Sequence, residues 1–190
     1  MIELSNIFNN QQTIAEPVSI NGVGLHSGVP VSMKLYPADV DYGIKFIRKD
    51  LTNNNIIEAL WSNVTNTKLS TTISNQSGAS ISTIEHLMSA LSGLHIDNVK
   101  IEINGPEVPI MDGSSIKFVN LIDQTSIKIL NKRRKILKVK NNIKVEHNDA
   151  SVELKPNTQF SIDFEIDFPS KLVSKQSCQL QLVNGNYKTD

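Results

Sequence analysis

The sequence lacks most features of secreted, membrane-spanning and nucleic-acid-binding proteins. Its one cysteine, Cys178, cannot form an internal disulfide. Nineteen basic and nineteen acidic residues give a formal net charge of zero, which removes the main electrostatic argument for nucleic acid or an anionic membrane as a partner. The N-terminus has no signal-peptide pattern, and no run of about 18 apolar residues could cross a membrane. We therefore expect a cytoplasmic protein with a small-molecule partner, and a membrane-derived substrate stays open.

The most informative segment is an amphipathic helix predicted to begin near Ser82. Glu85 and His86 lie at its start, off the centre of its apolar face. A carboxylate beside an imidazole can serve a metal-bound water, because the imidazole binds the metal and the carboxylate accepts a proton from the water. Gly93 is a natural stop after the last turn. The apolar face follows the spacing i, i+3, i+4 and i+7, at Ile84, Leu87, Met88 and Leu91.

The same segment has a purely structural interpretation. Ser82-x-x-Glu85 matches a capping box, in which Glu85 bonds back to the helix N-terminus and has no catalytic role. His86 would then be only a polar residue on a helix surface. Local sequence alone favours this interpretation.

Further metal ligands are not evident from the sequence. A catalytic zinc site needs three protein ligands, and no later stretch offers a His and an Asp at helical spacing. His147 and Asp149 are better explained by a hairpin turn between two strand patterns. His95 follows the helix stop, where a capping or loop role is expected.

A glycine-rich segment at 22–28 surrounds His26. Glycines there could let the backbone approach a ligand closely, and they are also what a tight turn requires. The spacing Gly22-x-Gly24-x-x-x-Gly28 misses the dinucleotide-binding fingerprint, and no helix follows it. We therefore exclude a nucleotide cradle of that type.

Residues 1–126 are predicted to form a two-layer α+β domain, a sheet on helices. Strand patterns occupy 31–35 and 44–46, and a third at 99–103 alternates apolar and charged residues directly after the Glu-His helix. A second helix would follow, with Asp112 or Ser114 as its N-cap. Its inward face would consist of Phe118, Val119 and Ile122.

Residues 127–135 are predicted to be a linker, and 136–190 an incomplete second domain that contains only the sheet portion. The charged run at 131–135 is more typical of a solvated linker than of a nucleic-acid patch. Strand patterns follow at 136–139, 143–145, 152–154 and, most clearly, 160–168, where Phe and Ile alternate with polar residues. A turn is expected at 184–186. No covering helix is evident, so we expect an exposed apolar sheet face.

Three segments taken in order are far more specific than any one of them: GVGLHSG at 22–28, STIEHLMSALSGLHIDNVKIEINGPEVPIMDGS at 82–114, and FSIDFEIDF at 160–168. Together they resemble the UDP-3-O-acyl-N-acetylglucosamine deacetylase (LpxC) family, zinc amidohydrolases of lipid A biosynthesis. The similarity runs from about residue 11 to the end. It implies two similar α+β domains of the ribosomal S5 domain 2-like type, each a sheet layered on helices, with the active site between them.

The resemblance also implies roles for individual residues. The general base of the family falls on Glu85 and its first zinc ligand on His86, which reverses the preference for a capping box. Asp112 matches an aspartate that we interpret as a helix cap. Two loops match substrate-binding loops of the family, the second less closely, and their residues are Leu25 and His26 in one and Thr67, Lys68 and Ser70 in the other.

Several family features have no counterpart in this sequence. They are the His-Lys-x-x-x-Asp helix with the other two zinc ligands, the oxyanion-stabilising threonine of an Ala-Arg-Thr-Phe segment, and the general-acid histidine. With one ligand of three, zinc affinity would be poor, and loss of an oxyanion donor alone lowers the rate about a hundredfold to a thousandfold. We therefore expect a truncated or split enzyme that is inactive alone, with a companion chain supplying the missing half.

Two other functions stay open at this point. The chain could be a non-catalytic binding or regulatory remnant that keeps the substrate loops at 22–28 and 67–71. It could also be a two-layer RNA-binding module, although this rests only on fold-level similarity and the zero net charge argues against it.

Overall fold

A computed structural model of the chain describes residues 9–182 and residue 187. The backbone forms two compact units, Met1–Arg134 and Lys135–Asp190. Helices and sheets are mixed, so the predicted α+β class is confirmed. In the described part of the chain, no helix is long and apolar enough to cross a membrane.

The elements of the first unit have the following bounds. Its strands are β1 (Asn10–Ile14), β2 (Val18–Val23), β3 (Pro30–Pro37), β4 (Ile44–Arg48), β5 (Ile56–Glu58), β6 (Val64–Asn66), β7 (Thr72–Ser74), β8 (Ser80–Ile81), β9 (Val99–Ile103) and β10 (Ile127–Arg133). Within residues 10–134, the helices are α1 (Glu85–Gly93) and α2 (Ile116–Asp123), and a short 3₁₀ turn covers Trp61–Asn63.

The central sheet of this unit has the strand order β2-β3-β9-β4-β5. Neighbouring strands are antiparallel except β4 and β9, which are parallel. A parallel pair requires a long crossover, and here the crossover contains β6, β7, β8 and α1. Along β9 the apolar residues Val99, Ile101 and Ile103 are buried, while the charged residues between them are not. This alternation confirms the strand predicted directly after the Glu-His helix.

The two helices contact each other and complete the core of the first unit. Burial of a large apolar side chain contributes roughly 1.5–3 kcal/mol, so these helical faces add to the stability of the core. Met88 is only half-buried, because it borders a surface cavity together with Ile44 and Ile96. The buried residues are Ile84, Leu87, Ala90 and Leu91 around α1 and Phe118, Val119 and Ile122 in α2, which confirms both predicted apolar faces apart from Met88.

The start of α2 differs from the prediction. Ser115 is the N-cap residue, and neither Asp112 nor Ser114 takes that position. The Asp112 carboxylate instead accepts hydrogen bonds from the amide of Ser114 at 3.1 Å and from its hydroxyl at 2.9 Å. The Ser114 hydroxyl oxygen then accepts from the N–H of Ile116 at 3.2 Å. Asp112 and Ser114 therefore form hydrogen bonds in the turn that precedes α2, and neither is its N-cap residue.

The segment predicted as a linker, 127–135, contains strand β10. Gln12 lies opposite Ile129 and Ile14 opposite Ile127 in an antiparallel pair with β1. The charges at the end of this strand are also engaged, since Lys132 pairs with Asp41. The first three residues of the charged run, 131–133, therefore belong to a paired strand. The local sequence could not reveal this, because the partner strand lies more than a hundred residues earlier.

Among its described residues, the second unit has two separate hairpins. The first pairs β11 (Ile143–His147) with β12 (Ala150–Leu154), and the second pairs β13 (Phe160–Asp167) with β14 (Lys175–Leu182). Three of the four predicted strands are confirmed. The prediction at 136–139 is wrong, because these residues carry no regular structure and have no strand partner. The turn predicted at 184–186 lies outside the described residues.

Apolar side chains of β13 are exposed, as the sequence predicts. Phe160 is 64% exposed and Phe164 is 58% exposed, and Ile162 between them is 42% exposed. Because exposed apolar strands are surfaces for association, we expect this face to promote self-association of the chain in solution.

We expect the purified chain to self-associate through this face. The double variant Phe160→Ser, Phe164→Ser should weaken association at least about tenfold, since each phenyl group contributes roughly 1.5–3 kcal/mol when it is buried. Sedimentation velocity over a concentration series measures the effect. Ser161→Ala, on the opposite face of the same strand, is the matched control. A wild-type chain that stays monomeric at every concentration would show the expectation to be wrong.

Candidate functional site

Glu85 and His86 are the first two residues of α1, and both are half-buried. The first N–H groups of a helix have no partner within it and carry partial positive charge, which favours a carboxylate at Glu85. Just before the helix, Thr83 has a φ of 56°, in the left-handed region. That conformation is unusual for a β-branched residue and costs about 1–3 kcal/mol. The surrounding contacts must therefore hold the turn that leads into α1.

The Glu85 carboxylate does not close a capping box. Its Oε2 accepts a hydrogen bond from the backbone N–H of Thr71 at 3.1 Å. The N–H of Ser82 donates to the carbonyl of Pro106 at 2.9 Å. Ile84 is the N-cap residue and makes no side-chain cap bond. The capping-box interpretation of Ser82 and Glu85 is therefore wrong, because a bridge to the segment after β9 already uses the Ser82 backbone.

The predicted substrate loop at 67–71 joins β6 to β7. Thr67 and Lys68 are exposed and Ser70 is half-buried. Leu69 has a φ of 66° and is 82% exposed, so the loop turns its side chains outward. The bond from Thr71 to Glu85 ties the end of this loop to the start of α1. The structure thus brings the second predicted loop to the predicted base.

The glycine-rich loop at 24–29 joins β2 to β3 and has its own closing bonds. The N–H of Gly24 donates to the carbonyl of Val29, and the N–H of Gly28 donates to the carbonyl of Gly24, both at 3.0 Å. The side chains of Leu25 and His26 are exposed. The first predicted loop therefore presents its side chains to solvent, while part of its backbone faces inward.

Glu107 is a residue that the sequence reasoning missed. It is only 3% exposed, and its Oε1 accepts from the N–H of His26 at 2.8 Å while its Oε2 accepts from the N–H of Ser27 at 3.0 Å. The Thr83 hydroxyl donates to Oε1 at 3.2 Å. The available signal was a single acidic residue in the apolar segment Pro106–Ile110, since a buried carboxylate requires donors. Nothing local identifies those donors, which come from residues far away in the chain.

The environment of Glu107 stabilises its ionised form. Burial by itself would raise the pKa of this carboxyl. The hydrogen bonds from the His26 amide, the Ser27 hydroxyl and amide, and the Thr83 hydroxyl outweigh burial and hold the pKa below its usual value. Glu107 is thus a buried, charged acceptor that joins the His26 loop to the residue two positions before Glu85.

The other histidines lie where the sequence predicts. His147 ends β11, and Asn148 has a φ of 53° in a tight turn before β12, which confirms the hairpin turn. His95 has a φ of 59° and donates its backbone N–H to the carbonyl of Ser92 at 3.0 Å, which confirms a loop role at the end of the helix. Burial first, and the charge of Arg134 second, lower the pKa of His95.

The described residues do not by themselves fit a catalytic zinc site. In residues 9–182 and at residue 187, no group of three or more His, Cys, Asp or Glu side chains is close enough to hold a metal ion. Glu85 and His86 offer one carboxylate and one imidazole, whereas a catalytic zinc has three protein ligands. A three-ligand zinc site built on His86 would need two further ligands.

Comparison with known proteins identifies the family. The family model for UDP-3-O-acyl N-acetylglycosamine deacetylase, LpxC, matches residues 11–190. The chain belongs to this deacetylase family. It is 41% identical over 180 residues to a UDP-3-O-acyl-N-acetylglucosamine deacetylase of Syntrophus aciditrophicus, covering 95% of this chain and 57% of that protein. It is 45% identical over 180 residues to the deacetylase of Geotalea uraniireducens, covering 95% and 58% respectively.

The match covers nearly all of this chain but only part of each relative. A deacetylase of Nitratiruptor is 42% identical over 177 residues, which is 93% of this chain and 58% of that protein. The chain therefore spans a little over half the length of these relatives of the deacetylase family. The described residues include Glu85, His86 and both loops, the parts of the candidate site that lie within the matched region.

The loop at 24–29 should depend on the absence of a side chain at Gly24. A Cβ at that position would lie 2.3 Å from Glu107 Oε2 and 2.3 Å from Ser27 Oγ. We expect Gly24→Ala to lower the free energy of unfolding by roughly 1–3 kcal/mol, the usual cost of overpacking. Urea unfolding followed by circular dichroism measures it. Gly105→Ala is the matched control, because nothing lies within 4 Å of a Cβ there. Equal effects of the two substitutions would contradict the close approach.

Proposed function

We propose that this chain contributes the general base and one metal ligand to the hydrolysis of UDP-3-O-acyl-N-acetylglucosamine. The reaction releases acetate from the acetamide group, in the cytoplasm, as a step of lipid A biosynthesis. The observation that carries the proposal is the bond between the Glu85 carboxylate and the Thr71 amide, at the start of α1. It joins the candidate base to a candidate substrate loop in a chain of the deacetylase family.

Glu85 is the proposed general base. It takes a proton from the attacking water, whose oxygen bonds to the acetamide carbonyl carbon. The carbon–nitrogen bond then breaks and acetate leaves, and the proton that Glu85 took from water balances the one that the amine nitrogen gains. The Thr71 amide donates to one oxygen of the Glu85 carboxylate, and that bond orients the group.

His86 is the proposed zinc ligand that this chain supplies. A bound zinc ion would polarise the carbonyl and make water more acidic. The other two ligands would come from a further segment of the protein or from a companion chain. We therefore expect the chain alone to bind zinc weakly and to release no acetate.

The two loops are proposed to hold the substrate. Lys68 is exposed at the tip of its loop, where its ammonium group suits the diphosphate. Leu25 is 57% exposed and provides apolar surface beside His26. Thr67 and Ser70 supply hydroxyl groups that can hydrogen-bond to sugar or phosphate oxygens.

The proposal is tested by acetate release from UDP-3-O-acyl-N-acetylglucosamine in the presence of zinc. The chain is assayed alone and mixed with the part of the Geotalea uraniireducens relative that it does not cover. We expect release only from the mixture. Glu85→Gln should lower the rate about a hundredfold to ten-thousandfold, because it removes the base. His86→Ala should lower both the rate and zinc retention.

Ser92→Ala is the matched control, because Ser92 is exposed on the same helix. Acetate release that is indifferent to Glu85→Gln would contradict the assigned base. A mixture that forms a complex and binds UDP-N-acetylglucosamine without releasing acetate, with binding indifferent to His86→Ala, would favour a non-catalytic binding protein.

A further inference from the structure

Glu107 has no part in the chemistry proposed above, although it is a buried carboxylate close to the candidate site. It follows β9 in a segment that backbone bonds hold firmly. The N–H of Ser82 donates to the carbonyl of Pro106 at 2.9 Å, and the N–H of Val108 donates to the carbonyl of Ser82 at 3.1 Å. These two bonds flank Glu107 and fix its backbone beside the residues that lead into α1.

The side chain of Glu107 bridges two segments that are distant in sequence. On one side it accepts from the backbone N–H groups of His26 and Ser27, at 2.8 and 3.0 Å. On the other side it accepts from the Thr83 hydroxyl at 3.2 Å. Hydrogen bonds to a charged acceptor in a buried site are stronger than neutral ones. One carboxylate therefore determines the position of both segments.

Thr83 needs this support more than an ordinary residue does. Its φ of 56° is unfavourable for a β-branched residue, and its side chain is buried, with 2% of the residue exposed. The conformation directs the chain into α1, so that Glu85 becomes the first helical residue. If the hydroxyl lost its acceptor, a buried donor would be unsatisfied and the turn would relax.

We propose that Glu107 is a positioning residue that holds the His26 loop and the Thr83 turn, which leads into Glu85 and His86 at the start of α1, in one fixed arrangement. The positioning itself does not depend on the proposed function. Only the assignment of these two segments to the same substrate rests on that proposal. The alternative is that Glu107 merely adds stability to the first unit. In the first case a substitution of Glu107 changes the His26 loop and the start of α1 specifically. In the second case it destabilises the whole first unit.

A glutamine cannot replace Glu107 in this arrangement, although it has nearly the same shape. Each carboxylate oxygen faces a backbone N–H, and a backbone N–H cannot turn away. In either orientation the glutamine amide group would place an NH₂ donor against one of these donors. The loop or the turn must therefore move, and the loop amides lose protection from exchange.

The test is amide hydrogen exchange by NMR on the full chain, without substrate or zinc. In Glu107→Gln we expect exchange at His26 and Ser27 to be at least about tenfold faster. The amide of Ile101, in the middle of β9, should keep its wild-type rate. The resonances of the His86 ring should shift, because the start of α1 moves. Glu102→Gln, on β9 with a partly exposed carboxylate, is the control and should change none of these readouts.

Thr83→Val tests the same bridge by a smaller change. It removes only the hydroxyl donor and keeps the shape, so it serves if Glu107→Gln does not fold. We expect resonance shifts at both Ser27 and His86 in this variant. Thr125→Val is the control, because that hydroxyl donates to the carbonyls of Ile122 and Ser126 at its own helix end.

Two results would overturn the inference. One is unchanged exchange at His26 and Ser27 in Glu107→Gln. The other is an equal increase at these amides and at Ile101, which indicates general destabilisation. Neither readout uses catalysis, so they separate a failure of this inference from a failure of the proposed function. If Glu107→Gln changes exchange at His26 and Ser27 but the chain binds no UDP-N-acetylglucosamine, the positioning role of Glu107 holds and the proposed substrate is contradicted.

Discussion

The candidate site depends on one buried charge, the carboxylate of Glu107. Apolar packing in the core of the first unit can fix where the sheet and α1 lie, but it cannot determine how a polar surface loop meets a helix N-terminus. Directional hydrogen bonds can do so, and those of Glu107 reach the loop at 24–29 on one side and Thr83 on the other. Gly24 is part of the same constraint, because only a residue without a side chain fits beside this carboxylate.

A second carboxylate, that of Glu85, extends the arrangement to the loop at 67–71 through Thr71. The surroundings of the two acids differ, and this difference suits them to different roles. Glu107 is buried and accepts several hydrogen bonds, so it is held ionised and unavailable to a ligand. Glu85 is half-buried and has an oxygen, Oε1, beyond the one that accepts from Thr71. This division between a structural and a reactive carboxylate agrees with the proposed chemistry.

Sequence patterns predicted those parts of the fold that are set by local periodicity. The apolar face of α1, the alternation along β9 and the hairpin turn after His147 all follow from spacing within a few residues. The errors arose where a distant partner decides the structure. The charged run at the end of β10 was predicted to be a linker because its partner strand, β1, lies more than a hundred residues earlier in the sequence. The strand pattern at 136–139 has no partner strand, so periodicity alone could not make it a strand.

The site shows the same limit. Glu85, His86 and the two loops could be named from motifs and from a resemblance to a family. The capping-box motif at Ser82 was misleading, because the Ser82 backbone N–H bonds to the segment after β9 and not to the Glu85 side chain. Glu107 is marked locally only as an acid in an apolar segment, and its role could not be found, since its donors come from two other segments and no local pattern links them.

The most direct test of the account is an NMR titration of the chain with UDP-N-acetylglucosamine, observed at the backbone amides. If the loops and the start of α1 form one substrate site, amides at 24–28, at 67–71 and at Glu85 and His86 should shift together with a single dissociation constant. Shifts confined to one loop, or to residues far from α1, would contradict the central claim that these three segments act as one site.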